Sequence, residues 1–169
     1  MADMADASPH SLLGALLDSW DRNNTILINL FRAIPDDALD VRPMANSPSI
    51  AELFAHIHYV RSVFVLEDAP EFSKRLPDEE WVAEPDRARL VQLLNTSAKA
   101  VADAVRNKVE TTGEMNLHYD HPILMLQHMV WHEGYHHGQI KLTLKLAGRP
   151  LDDAAIGRGT WGVWMRKTH

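Results

Sequence analysis

His132, Glu133 and His136 reproduce H-E-x-x-H, the spacing with which zinc peptidases hold and activate a water. On a helix, at about 100° per residue, the two imidazoles lie within about 40° of each other and can bind one ion. Glu133 would then be the general base. A zinc peptidase also needs a third ligand, either a glutamate well downstream or the last histidine of H-E-x-x-H-x-x-G-x-x-H. No glutamate follows Glu133, and Gln139 and Leu142 occupy the positions of the extended motif. Asp152 or Asp153 could substitute, but no stretch alternates like a strand against which an extended peptide would pair. The motif predicts a pair of metal ligands rather than a peptidase.

Other side chains share the face of that pair. Helical projection groups Met125, His128, Met129, Gln139 and Thr143 with His132 and His136, and sends Glu133, His137, Lys141 and Lys145 toward a polar, solvated side. Upstream, His56 falls among Leu53, Val60, Val63 and Phe64, an apolar stripe, whereas His58 points nearly opposite, with Arg61 and Ser62. His56 is therefore the third ligand candidate. Three neutral imidazoles from two helices leave one or more positions open for water or substrate, as a catalytic metal requires. A lone inward histidine is more often a hydrogen-bonded core residue. Read from these residues alone, metal binding and plain core placement stand level. Gly134 and Gly138 face away from His132, where they are either plain surface glycines or leave room for another backbone, such as that of a second subunit, to approach closely.

Four helices must position these groups. The first is expected from about Ser8, an N-cap followed by Pro9, to Ile34, with Leu12, Leu13, Leu16, Trp20, Leu27 and Phe31 at near-helical spacing. The second begins at "SPSIAEL", capped by Ser47 before Pro48 or by a Ser49/Glu52 capping box, and runs to about Glu67. Residues 68 to 85 form a long connection containing Pro70, Pro77 and Pro85, with a short turn near Trp81. The third helix spans about Asp86 to Val109. The fourth starts at His121-Pro122 and ends at Ala147, before the Gly148-Arg149-Pro150 stop signal. The tail after it has no clear period. Amphipathic helices of this length hide their stripes best against one another, so the sequence predicts an all-α four-helix bundle.

Composition narrows the function classes. A chain of 169 residues, 46% hydrophobic and 24% charged, suits one globular domain over 1–169. With 23 acidic against 17 basic residues and a net charge of -6, no basic field is available for a phosphate backbone, so no nucleic-acid partner is expected. The absence of cysteine removes thiolate ligands and cysteine nucleophiles and fits a cytoplasmic protein. "MADMADASPH" lacks the basic and apolar regions of a signal peptide, and no apolar run is long enough for a membrane span.

Two stretches carry a resemblance over most of the chain. "SPSIAELFAHIHYVR" is similar to the second-helix S-(x)-x-E-L-x-x-H-(I/L) of the DinB/YfiT-like superfamily, and "LQHMVWHEGYHHGQI" to its fourth-helix H-x-x-x-H-E-x-x-H-x-G-Q-(I/L/V). The resemblance implies a four-helix bundle of up-down-down-up connectivity with a metal held by His56, His132 and His136. The implied metal is zinc or nickel, with iron and manganese as the other imidazole-compatible candidates. Gln139 matches the family glutamine and would orient a ligand or bound water. His128 matches a recurrent position behind the ligands. Tyr135 and His137 depart from the H-H-R of many relatives, which removes the arginine's anion contact.

Some relatives are similar to transferases or isomerases that use a bacterial low-molecular-weight thiol. The resemblance thus implies a metal-dependent, thiol-using S-transferase acting on a small molecule, with hydrolysis as the close alternative. A metal-activated water or thiol would serve either reaction, with Glu133 or His128 moving protons. From a different class comes a noncatalytic metal-binding or stress-response homodimer.

Overall fold

The computed structural model describes residues 11–73, 76 and 78–165, among which every regular element is a helix and none is a strand. Four long helices dominate: α1 (Leu12–Ala33), α2 (Ile50–Asp68), α3 (Arg87–Glu110) and α4 (Pro122–Leu146). A short α5 (Asp153–Ile156) and single 3₁₀ turns at Asp36–Ala38, Pro70–Phe72 and Trp161–Met165 complete the order. No helix among the described residues is long and apolar enough to cross a membrane.

Local chemistry sets the helix ends. The expected Ser8 cap lies outside the described residues; α1 is capped by Ser11, whose hydroxyl accepts from the Gly14 amide. Of the two starts read for α2, the structure selects the capping box, with Ser49 accepting from Glu52 N–H while Glu52 accepts from Ser49 N–H. Asp86 caps α3, and His121 followed by Pro122 opens α4. At the far end of α4, Gly148 takes φ +72°, and the following amide, Arg149 N–H, returns to the Leu144 carbonyl. The tail is more ordered than its lack of period predicts. Asn29 donates to the Gly159 carbonyl and Arg22 to that of Val163, so polar anchors on α1 substitute for an apolar stripe.

The core consists of two apolar clusters. One joins Leu27, Phe31, Leu53, Phe54, Ile57, Leu90, Leu94, Ile140 and Leu144; the other joins Leu13, Leu17, Trp20, Val65, Ala98, Val101, Met125 and Met129. Between them in each helix fall polar residues: Asn24 on α1, Arg61 on α2, Asn95 on α3 and Glu133 on α4. Arg61, with 0% of its surface exposed, is bonded to all three other long helices. It donates to both oxygens of Glu133 at 2.6 and 2.7 Å, to Asn24 Oδ1 at 3.0 Å and to the Leu94 carbonyl at 2.8 Å. Its guanidinium carbon also lies 4.8 Å from the centre of the Trp20 ring.

This layer corrects the expectation that Glu133 and Arg61 face solvent. Glu133 is 2% exposed. The projection assigned every charge outward, but a charge whose hydrogen-bonding groups are matched by a partner from another helix can be buried. His58 is likewise buried rather than outward, because α2 packs against α3 as well as α4.

Candidate metal centre

α2 and α4 bring His56, His132 and His136 together, with ligand atoms all within 4.8 Å of one another. His132 Nε2 lies 3.1 Å from His56 Nε2 and 3.0 Å from His136 Nε2. His56 and His136 are buried and His132 half-buried. The i, i+4 spacing on α4 stacks two rings edge to face, with centroids 4.4 Å apart, and His56 enters from across the helix pair.

The far nitrogens of the two outer rings decide what the near ones offer. His136 Nδ1 is 2.7 Å from Gln139 Oε1, an obligate acceptor, while the Gln139 amide donates to Tyr135 Oη at 2.9 Å. Nδ1 of His136 is therefore the protonated nitrogen, and its Nε2 presents a lone pair inward. His56 Nδ1 lies 2.8 Å from Glu80 Oε1, an ion-pair distance without the alignment of a hydrogen bond. The carboxylate favours the same tautomer there.

Burial pushes all three imidazoles below their ordinary pKa, His132 down to about 3 because its neighbours His136 and His56 add repulsion to desolvation. Neutral imidazoles whose Nε2 atoms lie 3.0–3.1 Å from that of His132 fit a divalent cation. At metal–nitrogen bonds of about 2.0–2.1 Å, ligand nitrogens sit roughly 3–3.4 Å from one another. The donor set therefore could hold such an ion.

His128, expected close behind the ligands, has its ring centroid 6.4 Å from that of His132, and its Nδ1 lies 2.8 Å from Tyr119 Oη. Glu133 points away into the core layer, where Asn23 Nδ2 also donates to its Oε2 at 2.6 Å. Both its oxygens are thus committed. Two residues at the site escaped sequence reasoning. Trp81 stacks on the His56 ring at 4.1 Å and 5°, beside Glu80; the only signal for either was the length of the connection that carries them. A cavity of about 600 Å³ lies on another side of that connection, lined by His58, Val82, Pro85, Arg89 and Leu90, and none of the three clustered histidines lines it.

A helical chain whose long helices converge three imidazoles defines the class of helical proteins with a histidine cluster that could hold a metal ion. The comparison with known families makes this specific: the DinB family matches residues 1–155, and the chain belongs to that family. No curated protein and no solved structure matches it.

Proposed function

We propose that the protein is a metal-dependent enzyme in which His56, His132 and His136 hold one divalent ion, zinc or nickel first, and in which a small-molecule substrate reacts with a low-molecular-weight thiol. The observation that carries this reading is the meeting of three Nε2 atoms across α2 and α4. Such an ion supplies Lewis acidity, lowering the pKa of a bound water or thiol. The remaining work falls to the chain. Gln139 fixes the tautomer of His136, and His128, beside the ligands and bonded to Tyr119, is the residue we assign to proton transfer.

The order in which each helix crosses the two clusters supports an up-down-down-up bundle. α1 and α4 run from the Trp20 cluster toward the Phe54 cluster, whereas α2 and α3 run the other way. We read the chain as one such domain, cytoplasmic in keeping with its lack of cysteine. A peptidase is disfavoured because the glutamate of the motif is held by Arg61 and Asn23.

The test combines metal analysis of the purified protein with a screen of thiols against electrophiles. Stoichiometric metal lost in His56→Ala, His132→Ala and His136→Ala, together with thiol-dependent turnover in the wild type, is the expected result. Unaltered metal affinity in all three variants overturns it. A hydrolytic reaction would appear in the same screen as turnover without thiol.

One observation favours the dimer of the noncatalytic alternative, though not its lack of catalysis. α4 leaves Leu124, Trp131, Tyr135, Leu142 and Leu146 exposed along one stripe, and a Cβ built on Gly138, in the same stripe, meets nothing within 4 Å. The seven-residue step from Leu124 through Trp131 to Gly138 matches the period of a helix seam. We therefore assign the stripe to a second copy of α4 in a homodimer, which is compatible with either function.

A further inference from the structure

Glu80 and Trp81 are adjacent in sequence, and both address the ring of His56, one at its edge and one on its face. Glu80 Oε1 lies 2.8 Å from Nδ1, and the indole lies parallel to the imidazole at 4.1 Å and 5°. Neither contact is a by-product of burial. Trp81 remains 42% exposed, and the Glu80 side chain is 39% exposed. The chain flanking the pair is backed by the cavity, which Glu79 and Val82 line, rather than by packed core.

The two contacts restrain different motions. A carboxylate at Nδ1 favours the tautomer protonated there, which leaves the Nε2 lone pair directed at His132 and His136. The stacked indole blocks tilting of the ring away from them. On α4 a different device, Gln139, does the corresponding work for His136. Each outer ligand thus has its own support, one from its own helix and one from the connection after α2.

Building on the three-histidine site proposed above, we propose that Glu80 and Trp81 are a positioning pair that docks on His56 and holds its Nε2 on the metal, so that metal binding and docking of this connection reinforce each other. Reciprocity is required by linkage: if docking tightens metal binding, metal must stabilise docking by the same factor.

The experiment uses the full chain with zinc and nickel as probes. Zinc affinity is measured by chelator competition for the wild type, Glu80→Ala, Glu80→Gln and the control His132→Ala, and quenching of tryptophan emission by nickel is followed in the wild type and Trp81→Phe. Glu80→Ala is expected to weaken zinc binding roughly 10–100-fold, the usual loss when a ligand's supporting partner is removed. Glu80→Gln should recover part of it, since its amide oxygen keeps an acceptor beside Nδ1 without the charge. Trp81→Phe keeps a stacked ring but removes the indole next to the metal, so most of the nickel quenching should disappear, although four other tryptophans remain of the five in the sequence. Both residues lie on an exposed connection, so helicity and melting temperature of the metal-free protein should be unchanged. Wild-type zinc affinity in Glu80→Ala, or undiminished quenching in Trp81→Phe, overturns the proposal. If His132→Ala loses zinc in that case, only the positioning pair fails; if His132→Ala also binds as the wild type does, the three-histidine site fails with it.

Discussion

Arg61 on α2 and Glu133 on α4 form a two-pronged ion pair, at 2.6 and 2.7 Å, in the layer between the two apolar clusters. Glu133 directly follows His132, so this pair fixes α4 against α2 at the level where the histidines meet. Removing one partner leaves the other charge buried and unmatched, which typically costs about 3–5 kcal/mol. Glu133→Ala and Arg61→Ala should each lower unfolding free energy by that order in denaturant titrations. A paired replacement by apolar residues of similar volume should recover much of the loss. Equal destabilisation by the pair and by the sum of the singles would show that the two charges do not act as a unit.

Gln139 links Tyr135 to His136. Gln139→Ala removes the acceptor at Nδ1 and should weaken zinc binding roughly tenfold or more, while Gln139→Glu, which keeps an acceptor, should not. Tyr135→Phe removes only the far, solvent-exposed end of the chain and should change affinity by about threefold or less, in line with the modest net value of one exposed hydrogen bond. Competition titrations with a metal chelator measure both.

The clustering of the three histidines was legible because its signals are local. Two histidines one turn apart fall on one face of any helix, and His56 stands out among Leu53 and Val60. The helices were legible for the same reason, since caps such as Asp86 and His121-Pro122 act within one turn of where they are written. What escaped depends on pairing between distant positions. Arg61 and Glu133 are 72 residues apart, and nothing near either indicates that the other will neutralise it. The Trp81 stack on His56 escaped because a proline-rich connection has no period from which to read a face. The polar anchoring of the tail, through Asn29 and Arg22, was hidden in the same way.

The start of α2 carries a pH-dependent contribution. Hydrogen bonding to Arg42 and to the Ser49 amide holds the Glu52 carboxyl below its ordinary pKa. A carboxylate with a folded pKa below its unfolded value contributes stability that is present above the unfolded pKa, about 4.3. That contribution is lost as pH falls through the folded value. Glu52→Gln should therefore narrow its stability gap to the wild type as pH drops below about 4.3. Ser49→Ala, which removes the other half of the box, should cost about 1 kcal/mol at neutral pH. Thermal melts across the pH range test both.

The exposed stripe on α4 yields a prediction about assembly. Trp131 is 68% exposed and stacks on Tyr135, with ring centroids 6.1 Å apart, so the pair presents a broad apolar surface to solvent. Burying it against a second copy would remove this surface from water at about 25 cal/mol per Å². The wild type should accordingly run in light scattering at twice the 19.1 kDa of one chain. Leu142→Glu places a charge in the middle of the seam, where an unmatched carboxylate cannot be buried, and should shift the population to monomer. Leu142 is exposed within its own chain, so the variant should keep its helicity and melting behaviour as a monomer. A wild-type protein that stays at the mass of one chain at high concentration would rule out the seam as an interface between copies.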